Sequence, residues 1–463
     1  MKSIITLLLL FISHLVVSQF VEKGAVIDSI HCDLKPEQSY ALYIPSYYDS
    51  ALQWPAIYVF EPAARGVLPV TKFKSVAEEL GYLVFASNNS KNGSWDLSFE
   101  SGDAMFVDTF SKFSIDPDRV YTSGFSGGSR VASAVAAITG KINGVIACGA
   151  GFASIEEYKL PKNSPVLYVA IVGNRDMNYQ EHRQLEESLN ENGIINNRII
   201  FNAGHQWPYS MFLREAIYWI ELQCLKRGQQ SSKGYSIQRS YDLTKNKADS
   251  IAESGDYVLA AETYERLWND YDGLLELTEL SSIIGSIEKD KEYKRQSKKA
   301  ERINGQEVNL RKELGDAFTE LYFTKLNVGN DSTLKSMGWW ERKVDFYKRL
   351  AKKDDFLTRN MALRLLNLIW ARSAESSFNF MANNDYETAL VLNKIWLYTE
   401  PNTWGKWNMA IILASMNNPE FYKYLQEVID ESQQFSKQAI LKTPAFNNFL
   451  EEDKMKSLLS HLN

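Results

Sequence analysis

Cysteine is scarce in this chain: Cys32, Cys148 and Cys224 are the only three in 463 residues. So few thiols exclude a disulfide-built scaffold. Cys148 closes the apolar run Gly144-Val145-Ile146-Ala147-Cys148 and reads as core filler; a Cys32–Cys224 bridge is compatible with an oxidising compartment but is not selected by the sequence. Histidine is nearly as rare, at five. No His-x-x-x-His pair and no cysteine pair at ligand spacing occur, so neither a metal nor a cofactor is expected. Basic charge is in deficit, with 51 Lys and Arg against 57 Asp and Glu, a net charge of -6. That balance excludes the basic face a nucleic-acid binder needs. Beyond the first residues no apolar run is long enough to cross a bilayer, so the mature chain is expected to carry no membrane span. The glycine-containing stretch 124–128 lacks the Lys-Ser/Thr of a phosphate-binding loop.

What is present starts with Met1-Lys2, a mostly apolar run over 4–17, and small residues around Ser18. This is the layout of a secretory signal peptide over 1–18, cut before Gln19, and predicts an exported protein, periplasmic or extracellular. No cysteine follows the run, so no lipid attachment is expected there.

The length calls for two domains. Over 19–228 strand-like runs at 25–30, 40–44, 56–60, 82–86, 119–122, 144–148, 166–172 and 198–201 alternate with helical stretches at 71–80, 102–113, 127–139, 179–192 and 209–225. Several strands are near-continuous apolar runs, as strands buried on both faces read. The pattern predicts an α/β fold, a mainly parallel sheet with helices on both faces, opened by an antiparallel hairpin. Residues 229–245 are polar and read as a linker. From 246 to 463 the chain reads as all helix. Gly255-Asp256-Tyr257 with Ala260, and Asn384-Asp385-Tyr386 with Ala389, are spaced like the turn and close-packing alanine of a tetratricopeptide repeat, although 290–350 does not keep the period.

Gly124-Phe125-Ser126-Gly127-Gly128 is a G-x-S-x-G pattern. Such a serine sits on a sharp strand-to-helix turn, and the residues two before and two after it approach so closely that they must be small. The pattern alone is weak. A strand immediately before it and the small-residue helix Ser129-Arg130-Val131-Ala132-Ser133 after it supply the required context. In sheets of this kind the nucleophile is followed in the chain by the acid and then the histidine. His14 and His31 precede Ser126, and His461 lies in the helical tail. His182 falls in a polar helix and reads as solvated. His205 lies in a loop after the last strand, at the carboxyl edge where a base belongs. Asp176 is the only carboxylate in the turn after the preceding strand, and is assigned as the acid; an aspartate there also suits a helix N-cap. Gly127 and Ala63, or less readily Ala64, are the expected oxyanion donors, because Pro62 has no N–H. Phe125, Trp207 and Trp95 are expected near the mouth of the site, and the polar stretch 87–100 as a lid or specificity loop. Arg65 reads as a paired surface residue or as a contact for an anionic group.

At these residues the chain resembles the α/β-hydrolase superfamily, and within it secreted esterases of the polyhydroxybutyrate depolymerase and feruloyl esterase type. Asp118-Arg119-Val120-Tyr121 leading into Gly124–Gly128, then Gly173-x-x-Asp176, then Gly204-His205-x-Trp207-Pro208 carry the resemblance. It implies hydrolysis of a small-molecule or polymer-borne carboxylic ester through an acyl-enzyme on Ser126. One departure is clear: Glu61-Pro62 stands where these esterases have His-Gly, which leaves Ala63 at the donor position. Two other readings share these residues. One is a prolyl-type serine peptidase of the same fold. The other is a non-catalytic envelope scaffold whose helical repeats bind a protein partner.

Overall fold

The computed structural model describes residues 22–323, 336–431, 435–460 and 462. The signal-peptide stretch 1–18 and His461 lie outside the described residues. Eight strands form one sheet: β1 (Val26–His31), β2 (Ser39–Tyr43), β3 (Trp54–Phe60), β4 (Leu83–Ser87), β5 (Ile115–Phe125), β6 (Gly144–Cys148), β7 (Leu167–Gly173) and β8 (Asn196–Phe201). Their spatial order is β1-β2-β4-β3-β5-β6-β7-β8, with β1–β2 and β2–β4 antiparallel and every other pair parallel. A mainly parallel sheet flanked by helices, opening on an antiparallel hairpin, is the architecture that the sequence predicts. Helices α1 (Val67–Leu80), α2 (Trp95–Lys112), α3 (Gly127–Thr139), α4 (Tyr179–Glu191) and α5 (Ser210–Lys226) cover it.

Strand residues alternate between two cores, as the period of two requires. Ile57, Val59 and Val84 face Phe73 and Val76 of α1 and Ile217 and Ile220 of α5. Ala56, Tyr58 and Phe60 face Met105 of α2, Val131 of α3 and Leu185 of α4. Cys224 belongs to the first core and Cys32 to the second, so the sheet separates them, and all three cysteines are free.

Two sequence expectations change here. Residues 95–100 belong to the first turns of α2 rather than to a loop, because Ser94 accepts a hydrogen bond from the Leu97 N–H and Asp96 follows in the first turn. Within the expected linker, helix begins at Ile237, and Ser232 is buried. The Ser232 N–H and hydroxyl both donate to the buried Glu221 of α5, which also pairs with Arg119 of β5 at 2.6 Å, so this stretch is pinned to the sheet and its helix.

His182 gives a third correction. Far from being solvated, it is fully buried on the stripe it shares with Leu185 and Leu189 of α4, and neither ring nitrogen has a hydrogen-bond partner. Burial pushes its pKa down to about 4 from 6.5. The fold therefore holds the neutral imidazole, and protons bind the unfolded chain more readily. His182 supports the fold fully above pH 6.5, and that support is lost as the pH falls through 4, a swing of about 3 kcal/mol. We expect the unfolding free energies of wild type and His182→Phe, measured in urea, to converge or cross by about 2 kcal/mol between pH 7 and pH 5. A constant difference would contradict this account.

Among the described residues the rest of the chain is helical: α6 (Ile237–Glu253), α7 (Tyr257–Tyr271), α8 (Thr278–Lys289), α9 (Lys291–Phe323), α10 (Met337–Leu350), α11 (Phe356–Ala382), α12 (Tyr386–Thr399), α13 (Thr403–Ser415), α14 (Phe421–Glu431), α15 (Lys437–Leu441) and α16 (Asp453–Ser460). The two turns singled out in the sequence are built alike. Gly255 and Asn384 take positive φ, Asp256 and Asp385 cap the next helices, and Ala260 and Ala389 are fully buried. The 33-residue α9 accounts for the lost period over 290–350. Among the described residues no helix is long and apolar enough to cross a membrane.

Candidate active site

Ser126 stands between β5 and α3 with φ 53° and ψ -121°. A side chain pays for such backbone only where the surroundings impose it. Here the Ser126 N–H donates to the Cys148 carbonyl at 2.8 Å, and the glycines allow the turn to close. A Cβ on Gly124 would lie 2.2 Å from the Gly128 carbonyl oxygen, and one on Gly128 would lie 2.1 Å from that of Phe60. The small residues of α3 let it lie against the sheet, with Gly128, Ser129, Ala132, Ser133 and Ala136 buried.

The three predicted side chains meet, although 79 residues separate Ser126 from His205. The Ser126 hydroxyl is 3.0 Å from His205 Nε2, and His205 Nδ1 lies 2.9 and 3.0 Å from the two Asp176 oxygens. Asp176 is 1% exposed and His205 12%, so the pair is sheltered while the imidazole still reaches the surface. Asp176 does not cap α4 in the usual manner; it accepts the Asn178 N–H at 2.8 Å and keeps its second oxygen for His205. Asn178 in turn donates to the Gly149 carbonyl.

Phe125 and Trp207 do not line the mouth. Both are buried, and the Phe125 ring packs 4.7 Å from the His205 ring and 5.5 Å from Trp207, forming a wall behind the imidazole. Trp95 does line a cavity of about 190 Å³ beside the turn, with Asn92, Gly127, Arg130 and Pro62. A larger cavity of about 1080 Å³ lies between α2 and α3 and takes in Asn143 and Pro165, at the amino ends of the strands. That is the wrong end of the sheet for the chemistry, since open α/β sheets bind ligands beyond their carboxyl ends.

The expected donors differ in availability. Gly127 heads α3, where the helix leaves its first N–H groups unpaired by the helix itself. Ala63 is engaged: its N–H donates to the Glu61 carboxylate at 2.7 Å, the Arg65 N–H donates to the same oxygen, and the Ala64 N–H to the Glu61 carbonyl. Glu61 is wholly buried, and the half-exposed Arg65 pairs with it rather than with a ligand. The sequence reading missed this carboxylate and also Asn92, whose side chain crowds Gly127: a Cβ there would fall 1.9 Å from Asn92 Oδ1. Arg130 was missed as well; it holds Glu181 at 2.8 Å and donates to the Phe152 carbonyl, fixing the loop after β6. Among the described residues no group of three or more metal-ligating side chains occurs.

No protein-family model matches this chain, and no curated protein does. Solved structures do. A truncated carbohydrate esterase from gut microbiota is 12% identical over 42% of this chain and 95% of its own, with a TM-score of 0.35. Esterase 2 of Thermogutta terrifontis is 13% identical over 45% and 96%, with a TM-score of 0.35. An S-formylglutathione hydrolase of Staphylococcus aureus is 16% identical over 42% and 96%, with a TM-score of 0.33. At such identities and scores the likeness says nothing about activity, which has to rest on the site itself.

Proposed function

We propose that this chain is an exported serine hydrolase that cleaves carboxylic esters through an acyl-enzyme on Ser126. The observation that carries this reading is the continuous hydrogen-bonded chain Ser126–His205–Asp176 on a strained strand-to-helix turn. Ser126 Oγ attacks the ester carbonyl while His205 Nε2 takes its proton. Asp176 holds Nδ1–H and stabilises the imidazolium that forms. The same proton passes from Nε2 to the leaving alkoxide, and the acyl group stays on Oγ. Water then attacks the acyl carbon, giving its proton to Nε2; the acyl C–Oγ bond breaks, Nε2 returns that proton to Ser126 Oγ, and the acid is released. The Gly127 N–H, at the positive end of α3, receives the oxyanion in both halves. The cavity beside Trp95 and Asn92 is the proposed acyl or alcohol subsite. Export rests on residues 1–18, and the matching turns before α7 and α12 support a tetratricopeptide-like reading of those helix pairs.

The test pairs labelling with turnover. A fluorophosphonate probe is expected to modify Ser126 of the full chain, and p-nitrophenyl acetate is expected to be hydrolysed. An unlabelled Ser126 would overturn the reading. Faster cleavage of a proline-peptide substrate than of the aryl ester would replace the esterase by a peptidase.

A further inference from the structure

The loop that carries Asp176 is held from two sides. On the inner side it is tied to its own domain: the Asn174 N–H donates to Phe201 and the Arg175 N–H to Ala203. On the outer side its carbonyls are taken by the helical domain. Arg364 of α11 donates to the Asn174 carbonyl at 2.8 Å, Asn367 of α11 to the Arg175 carbonyl at 2.9 Å, and Arg311 of α9 to the Met177 carbonyl. Three of the four residues at 174–177 are thus fixed by side chains from 134 to 192 positions away. The fourth is Asp176.

These donors are themselves locked. Glu307 of α9 is completely buried, and its carboxylate accepts from Arg364 and from Arg311, each at 3.0 Å, and from Gln180 of α4 at 2.9 Å. The Arg364 guanidinium also lies 4.6 Å over the Tyr179 ring. A buried carboxylate persists only with its charge paired and its lone pairs filled. Here every partner of Glu307 either grips the 174–177 loop or belongs to the helix that follows it.

The geometry points to Arg364 and Asn367 as positioning residues that set Asp176 against His205, so that the helical domain is part of the catalytic machinery rather than an attached module. This inference rests on the serine-hydrolase reading. Displacement of about 1 Å at a catalytic group costs on the order of 100-fold in rate.

The test uses the full chain and a double-mutant cycle. Asn367→Ala and Arg364→Lys, both checked for native circular dichroism, are expected to lower kcat on p-nitrophenyl acetate about tenfold each with KM unchanged. In an Asp176→Asn background the same changes should cost less than about twofold, because the group they position is already disabled. Equal costs in both backgrounds, or no cost in the first, would overturn the assignment. Amide hydrogen exchange over 174–178 provides a readout independent of turnover. It should accelerate at least about tenfold in Asn367→Ala, and unchanged exchange overturns the clamp even if the wild-type chain proves to have no esterase activity. A wild-type chain that Ser126-directed probes fail to label, with exchange accelerated in the variant, would refute the hydrolase reading and leave the mechanical clamp standing.

Discussion

Ser126→Ala is expected to lower kcat by about six orders of magnitude while the protein stays folded. The change removes one oxygen that bonds only to His205 Nε2 at 3.0 Å. The backbone there is held by the Ser126 N–H to Cys148 and by glycines on either side, none of which needs the hydroxyl. Alanine meets the same left-handed φ of 53° that serine tolerates, so strain is unchanged. Stopped-assay turnover of p-nitrophenyl acetate, with thermal unfolding as the control, checks both halves. A variant within about tenfold of wild type would show that the hydrolysis, if any, occurs elsewhere.

The second large effect is Asp176→Asn, expected to cost about four orders of magnitude in kcat with little change in KM. The acid both accepts the Asn178 N–H and faces His205 Nδ1. An asparagine keeps the first bond through its carbonyl oxygen and so presents its NH₂ to the imidazole. That forces Nδ1 to act as acceptor and puts the ring proton on Nε2, where it meets the Ser126 hydroxyl as a donor and can no longer remove its proton. The fold should survive because the replacement is isosteric. Steady-state kinetics with circular dichroism decides it; a loss of less than about tenfold would mean that Asp176 does not hold the tautomer.

Much of this site is legible in the residues. The strands stand out because burial on both faces leaves unbroken apolar runs such as Ile57-Tyr58-Val59-Phe60. The Ser126 turn advertises itself through its glycines, and a shortage of histidines leaves few candidates for the base. Other features have weaker signals. His182 shares its i, i+3, i+7 spacing with Leu185 and Leu189, which marks the buried stripe, but the polar residues between them hide it. Ser94 and Asp96 announce the start of α2, while the polar loop before them blurs it. The grip of Arg364 and Asn367 on the Asp176 loop has no local pattern at all. It joins segments nearly two hundred positions apart through backbone carbonyls, which every residue possesses.

The loop after β3 has one further consequence. Its amide protons are already solvating an anion, and that anion belongs to the chain: Glu61 Oε2 occupies the Ala63 and Arg65 N–H groups. A reacting carbonyl that is to draw on Ala63 must therefore evict an internal ligand, with Arg65 following or releasing its partner. Under the proposed function, recruitment of that amide is an exchange between two negative oxygens, one supplied by Glu61 of the chain itself and one by the substrate.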